Sequence, residues 1–164
     1  MKKVYVTWED VEAYCQDILR QMHLDGWQPD YIVGLTRGGL TPANLISQYL
    51  DIPMHALKVS LRDNIFTESA GWMAEEAYAG KKILIVDDIN DSGATINWIR
   101  QDWQKCCKPH SPLWADIWAN NVRVAVLVDN QSSNNEIPIT YTSQEVNKVD
   151  DPQWIVFPWE DWWI

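Results

Sequence analysis

The residues with the strongest chemical character form one run, ILIVDDINDSGAT at positions 83–95. Its apolar start predicts a buried strand, and two adjacent carboxylates, Asp87 and Asp88, stand at the end of that strand. A loop of small residues follows at the start of a predicted helix, where backbone N–H groups and the hydroxyls of Ser92 and Thr95 can bind a phosphate. Carboxylates so close to an anion need a different partner, either sugar hydroxyls or a phosphate-bound Mg²⁺. The run therefore indicates a phosphorylated sugar, although a capped helix beside a solvated strand end accounts for the same residues.

A second loop of this kind, Thr36-Arg37-Gly38-Gly39, follows the apolar run at 31–35. Glycines let the backbone approach a ligand closely, and a guanidinium binds phosphate oxygens in a fork. By itself the loop is explained equally well by a tight turn between a strand and a helix.

The elements that position these loops alternate between strand and helix. Thr7 predicts the N-cap of an amphipathic helix that ends near Gly26, and helical patterns also begin at positions 42 and 96. Strands are predicted at 31–35, 54–61, 83–86 and 122–128, with a loop or hairpin over 62–78 and no clear structure over 101–121. This order is typical of an α/β fold with a parallel sheet, in which loops at the carboxyl ends of the strands converge on one ligand site.

Composition excludes several classes of protein. The chain has 164 residues, a length typical of one domain. Its 13 basic and 23 acidic side chains give a formal charge of −10, which disfavours binding to nucleic acid. No apolar run reaches the length of a signal peptide or a membrane span. Three cysteines, two of them adjacent, do not form a secreted disulfide framework and predict a reducing, cytoplasmic setting.

The run at 83–95 resembles the phosphoribosyl-pyrophosphate signature of the type I phosphoribosyltransferases. Residues 5–8 (YVTW), 31–43 and 154–160 (WIVFPWE) are most similar to the small bacterial xanthine-guanine enzymes of that family. The resemblance implies an α/β type I phosphoribosyltransferase fold, with a mostly parallel sheet flanked by helices. It divides a single domain, residues 1–164, into a body with a mobile loop over about 62–80, an extra tryptophan-rich segment over about 101–121 and a C-terminal base-binding hood over about 129–164.

The resemblance also implies roles for single residues. Asp87 and Asp88 would bind the ribose hydroxyls directly or through Mg²⁺, and the segment from Asp91 through Ser92, Gly93 and Ala94 to Thr95 would bind the 5′-phosphate. Asp91 would also lie near the purine N7 as a general acid or base. Pyrophosphate would contact Arg37 and Gly38, with Arg62 of the mobile loop as a second cationic contact.

Base recognition departs from the family pattern. Trp154 would stack on the purine and the Ile155 backbone would meet its edge, but Asp129 stands where the family carries a lysine that donates to the 6-oxo group. An ionised carboxylate accepts hydrogen bonds and cannot donate them. Three explanations remain: an amine-bearing base, a lysine such as Lys108 or Lys148 that reaches in from elsewhere, or a misaligned Asp129 that faces solvent. We favour an unusual base over misalignment.

The resemblance predicts transfer of a 5-phosphoribosyl group to a purine-type base, with Mg²⁺, in nucleotide salvage. The alternative is a non-catalytic sensor of phosphoribosyl pyrophosphate or a nucleotide. A receiver domain is disfavoured, because its acidic pocket uses the first strand of the fold. We expect a homodimer or homotetramer with small-molecule substrates, no nucleic-acid or membrane partner, and the segment 101–121 as an oligomer contact or a lid over the base.

Overall fold

The structure is a computed structural model that describes residues 1–60 and 66–164. In chain order, the elements of these residues are β1 (Lys2–Tyr5), α1 (Trp8–Asp25), β2 (Tyr31–Thr36), α2 (Leu40–Leu50), β3 (Met54–Ser60), β4 (Phe66–Thr67), α3 (Gly71–Tyr78), β5 (Ile83–Asn90), α4 (Ala94–Cys106), α5 (Trp114–Ile117), β6 (Val122–Asn130), β7 (Tyr141–Val146) and β8 (Gln153–Val156).

Helix α1 confirms the predicted capping signal. The Thr7 hydroxyl accepts from the Asp10 N–H at 3.0 Å, and the Asp10 carboxylate accepts from the Thr7 N–H at 2.9 Å. This reciprocal pair satisfies two N–H groups at the start of the helix. The helix ends at Gly26, whose φ of 63° suits glycine. Cys15 lies on its buried face, and burial raises the pKa of that thiol to about 12.

The main sheet of the described residues has the strand order β4-β3-β2-β5-β6-β7. All neighbouring pairs are parallel except β3 and β4, which are antiparallel. The side chains of Ile83 and Ile85 pack in one core layer and those of Leu84 and Val86 in the other. A strand buried on both faces explains the continuous apolar run, and the predicted α/β class is confirmed. Strands β1 and β8 pair in parallel as a separate two-stranded sheet.

Two predictions about the segments between strands were wrong in part. The antiparallel pairing of β4 with β3 agrees with the predicted hairpin. Residues 71–78, however, form α3, because Met73, Ala74 and Ala77 bury one helical face against the sheet. The tryptophans of the 101–121 segment are buried and form no lid, whereas an oligomer contact through the exposed residues of the segment stays a prediction. Trp103 and Trp114 are 0% and 2% exposed, and Trp114 stacks on Trp118 with ring centroids 5.8 Å apart. They fill the core layer beneath the sheet.

The C-terminal part differs from the predicted hood at one strand. β7 belongs to the main sheet, parallel to β6, so only the later residues form a separate structure on β1. The predicted mobile loop includes residues 61–65, which lie outside the described residues. Within the described ranges, no helix is long and apolar enough to cross a membrane.

Candidate active site

A cleft of about 740 Å³ opens at the carboxyl ends of β2 and β5. The loop after β2, the loop that joins β5 to α4 and the C-terminal residues after β8 form its walls. The residues that line it are Thr36, Arg37, Gly38, Leu40, Thr41, Val59, Asp87, Asp88, Ile89, Asn90, Asp91, Ser92, Gly93, Ala94, Thr95, Ile96, Trp159, Glu160, Asp161 and Trp163. The topology therefore brings the two sequence motifs together at one edge of the sheet.

The loop after β2 presents Arg37 to solvent at the cleft and packs its glycines against β5. A side chain on Gly38 would collide with the Asp88 carboxylate, and one on Gly39 would collide with the Val86 carbonyl. The Gly39 N–H donates to the Leu35 carbonyl at 2.8 Å. The Thr36–Arg37 peptide bond is cis. Glycine is required at position 39 because the loop backbone there approaches the backbone of β5 closely.

The two carboxylates at the end of β5 are half-buried and shape their own loop. The Asp87 carboxylate accepts from the Asp88 N–H at 2.9 Å, and the Asp88 carboxylate accepts from the Ile89 N–H at 2.8 Å. Asp88 lines both the large cleft and a smaller cavity beside it. It therefore stands where the two spaces meet.

The loop from Asp91 to Thr95 turns the chain from β5 into α4 at Gly93. Gly93 has a φ of 91°, and a Cβ there would lie 2.6 Å from the Asn135 nitrogen. Asn134 donates its N–H to the Ser92 carbonyl at 3.0 Å. The first turn of α4 faces the cleft, and its N–H groups and the positive end of the helix dipole favour an anion there.

The side chain of Asn97, on the first turn of α4, fastens the segment after β6 to this loop. Its amide donates to the Asn134 carbonyl at 2.9 Å and its oxygen accepts from the Glu136 N–H at 2.6 Å. The loop is thus held in shape by backbone contacts from a second segment.

The smaller cavity has a volume of about 10 Å³ and is lined by Asp88, Ile89, Lys148, Trp154, Ile155, Phe157 and Glu160. Lys148 follows β7, and its Nζ lies 2.9 Å from Oδ1 of Asp91 and 5.6 Å from the centroid of the Trp154 ring. Trp154 and Ile155 therefore lie beside the cleft, together with a lysine that the sequence offered as one of two candidates.

Asp129 does not face this cavity. Its carboxylate accepts from Asn90 Nδ2 at 2.9 Å and from Gln131 Nε2 at 3.1 Å, and it is absent from the walls of both cavities as the described residues define them. The neighbouring Asn130 joins the two sides of the site. Its Nδ2 donates to the Asp91 carbonyl at 2.9 Å, and its Oδ1 accepts from the Lys148 N–H at 3.0 Å.

Two residues of the candidate site were not predicted from the sequence, and one predicted residue lies outside the described residues. Glu160 lines both cavities and accepts from the Phe157 N–H at 2.7 Å; the acid that closes the WIVFPWE motif was the available signal. Asn130 gave no signal, since its role depends on two segments distant in sequence. Arg62 lies outside the described residues.

Comparisons with known proteins agree with this geometry. Residues 3–160 match the phosphoribosyl transferase domain family. A xanthine-guanine phosphoribosyltransferase of Cereibacter sphaeroides is 28% identical over 97% of this chain and 87% of its own length. Xanthine phosphoribosyltransferase 1 of Saccharomyces cerevisiae is 24% identical over 63% of this chain, and the match spans only 61% of the yeast protein.

A solved structure of a purine phosphoribosyltransferase from Pyrococcus horikoshii superimposes with a TM-score of 0.67 and 27% identity, covering 98% of this chain and 96% of that one. The predicted resemblance and fold are therefore confirmed. With the matched region extending from β1 to the residues after β8, the chain belongs to the phosphoribosyl transferase domain family.

Proposed function

We propose that this chain transfers the 5-phosphoribosyl group of phosphoribosyl pyrophosphate to a purine-type base, releasing a nucleoside 5′-monophosphate and pyrophosphate for nucleotide salvage. The observation that carries the proposal is the convergence of the Arg37 loop, the Asp87–Asp88 pair and the α4 N-terminus on one cleft beside Trp154. Those are the groups needed for a diphosphate, a ribose, a phosphate and a planar base. The C. sphaeroides and P. horikoshii relatives carry names of the same activity.

The 5′-phosphate binds at the loop from Asp91 to Thr95. Support comes from the positive end of α4 and from Gly93, whose conformation turns the loop around the helix terminus. The ribose hydroxyls bind Asp87 and Asp88, and pyrophosphate binds along Arg37 and Gly38. The close approach of Gly38 to Asp88 supports this order, because it puts the leaving group and the ribose on adjacent walls.

The site suits Mg²⁺ that arrives with the substrate. Mg²⁺ is usually held by one or two carboxylates together with substrate phosphates and water. Asp87, Asp88 and Glu160 supply carboxylates on the cleft wall. In the described part of the chain, no cluster of three or more His, Cys, Asp or Glu residues forms a protein-only metal site. When bound, the ion neutralises charge on the pyrophosphate.

In the reaction, a ring nitrogen of the base forms a bond to C1 of the ribose while the bond from C1 to pyrophosphate breaks. Positive charge develops on the sugar and must be protected from water. Asp91 lies at the cleft and contacts Lys148 of the base-side cavity, so its carboxylate can take the proton that the base nitrogen loses. Arg37 stabilises the charge of the departing pyrophosphate.

The test is pyrophosphate release from phosphoribosyl pyrophosphate and Mg²⁺ with guanine, xanthine, hypoxanthine, adenine or no base. Release that requires both base and Mg²⁺ is expected. Asp91→Asn should slow it by about 10²- to 10⁴-fold, whereas Asp116→Asn, exposed on α5, should leave it unchanged. If no base supports release although phosphoribosyl pyrophosphate raises the melting temperature, the protein is a binder and the proposed catalysis is wrong.

We also propose a homodimer or homotetramer in the cytoplasm. Trp162, Trp163 and Ile164 are 74%, 69% and 96% exposed, an apolar group that a subunit contact would cover. The three cysteines are unpaired, which suits a reducing compartment. Light scattering of the purified protein tests the assembly, and a monomer at all concentrations would contradict it.

A further inference from the structure

The side chain of Lys148 occupies the place where a stacked base has to lie. Its Nζ is held between the Asp91 carboxylate and the Trp154 ring, and the side chain is only 17% exposed. The cavity left beside them, about 10 Å³, has room for about one water molecule. A purine that stacks on Trp154 therefore requires the lysine side chain to move.

Lys148 can move without loss of its anchor. Its backbone N–H donates to Oδ1 of Asn130, and Asn130 is 6% exposed, so the starting point of the side chain is fixed. The four-carbon stem beyond that point rotates freely compared with the rigid fork of an arginine. The ammonium can thus leave the face of Trp154 and remain at the edge of an incoming base.

An ammonium group donates three hydrogen bonds and accepts none. At the edge of a base it complements a carbonyl oxygen and leaves an amino group unpaired or repelled. The other two candidates do not compete for this place. The Asp129 carboxylate is bound to Asn90 and Gln131, and Lys108 follows the C-terminal end of α4, which is 13 residues or about 20 Å long.

We propose that Lys148 covers the Trp154 ring, on which the base stacks, in the unliganded protein. Once displaced, its ammonium donates to the 6-oxo group of the base, so that the site selects 6-oxopurines over adenine. This inference rests on the proposed function. Entry of the base also breaks the Lys148–Asp91 ion pair, which releases Asp91 from the lysine when the base arrives. An aminopurine offers the ammonium no acceptor at position 6 in exchange for that ion pair.

The test measures binding instead of turnover. Inosine and adenosine 5′-monophosphates differ at position 6 and the adjoining ring nitrogen, and each is titrated calorimetrically into wild type, Lys148→Met and Lys148→Arg. Lys108→Met is the matched control, since Lys108 is exposed and distant from the cleft. Wild type should prefer the inosine nucleotide. Lys148→Met should lose about 10- to 100-fold of that affinity. It should bind the adenosine nucleotide at least as tightly as wild type, because no Lys148–Asp91 ion pair has to be broken.

Lys148→Arg keeps a donor-only cation and should retain the preference, as should Lys108→Met. Raised thermal stability of each variant with phosphoribosyl pyrophosphate and Mg²⁺ shows that its phosphate side is folded. An unchanged preference in Lys148→Met, tighter binding of the adenosine nucleotide by wild type, or no binding of either nucleotide would overturn the inference. Failure of the proposed function is separate, because it appears as an absence of pyrophosphate release by wild type with every base.

Discussion

The proposed phosphate side and the proposed base side of the cleft are built in opposite ways. The phosphate side is one contiguous loop, residues 91–95, whose shape depends on backbone conformation and on the start of α4. The base side combines Lys148, after β7, with Trp154 and Ile155 of β8, which belongs to a different sheet. A site made of backbone has to be encoded locally, whereas one made of side chains can be assembled from any segments that the fold brings together.

The largest expected effect comes from the two carboxylates that stand between these sides. Asp87→Asn with Asp88→Asn removes the negative charge that we propose binds the ribose and Mg²⁺, and it should abolish turnover, with a loss of about 10³-fold or more in kcat. The substitutions keep side-chain size, so the folded state should persist. Pyrophosphate release and the near-ultraviolet circular dichroism spectrum check the two halves of this expectation.

The matched control for that double variant is Asp150→Asn, an exposed acid in the turn before β8. It should behave as wild type in both measurements. Undiminished turnover in the double variant would contradict the assignment of ribose and Mg²⁺ to β5.

The phosphate side should fail sharply when its backbone is changed. Gly93→Ala puts a Cβ against the backbone of Asn134 and Asn135 and also forces alanine into a positive φ. The conformation alone costs about 1–2 kcal/mol, and the collision must also displace the loop. We expect a rise of about 10-fold or more in KM for phosphoribosyl pyrophosphate, measured with saturating base.

Gly80 is the matched position for that test. Its φ is 98°, and a Cβ there would meet nothing within 4 Å. Gly80→Ala should therefore lower the free energy of unfolding by about 1–2 kcal/mol with KM unchanged. Equal rises in KM for both variants would mean that general destabilisation, not the shape of the phosphate loop, controls binding.

This contrast explains which features the sequence predicted. The run at 83–95 implied a strand, two carboxylates and a helix start, and the structure has all three because each follows from local pattern and capping chemistry. Helix α3 was missed, since its short sequence GWMAEEAY has little polar–apolar contrast and becomes helical by burying Met73 and Ala77. The tryptophans near 101–121 were misjudged, because aromatic residues that cross-pack in a core cannot be distinguished by sequence from those at an interface.

The base side resisted prediction for a related reason. The sequence offered Lys108 and Lys148 equally, because both lie outside the matching motifs. Only the pairing of β7 with β6 and of β8 with β1 brings Lys148 beside Trp154. Similarly, the strand predicted over 122–128 ended before Asp129, but β6 extends to Asn130 and so pairs Asp129 with Asn90 in register.

A smaller effect is expected at Asn130, which ties the two sides together. Asn130→Asp keeps an acceptor for the Lys148 N–H but loses the donor to the Asp91 carbonyl. A buried carbonyl left without its donor costs about 1–3 kcal/mol. KM should rise for phosphoribosyl pyrophosphate more than for the base, measured by varying each substrate separately. A rise for the base alone would show that Asn130 serves only the Lys148 segment.

The smallest effect on base choice is expected at Asp129. Its carboxylate shares Asn90 Nδ2 with Ser133 Oγ and Asn135 Oδ1, at 2.9 Å and 3.3 Å from that nitrogen, and so supports the segment that packs on Gly93. Asp129→Asn should destabilise the protein by about 1 kcal/mol, read from denaturant unfolding.

The ratio of inosine to adenosine nucleotide affinity in Asp129→Asn should stay within about 3-fold of wild type, with Lys148→Met measured in parallel as the variant that changes it. The sequence alone made Asp129 the residue that selects an amine-bearing base. The position of Asp129 removes the reason for that hypothesis. Its carboxylate already accepts from the side-chain amides of Asn90 and Gln131, and it does not face the Trp154 ring. A rise in the ratio of inosine to adenosine nucleotide affinity in Asp129→Asn would restore that hypothesis. Loss of the carboxylate can favour binding of the 6-oxo group only if Asp129 contacts position 6 of the base.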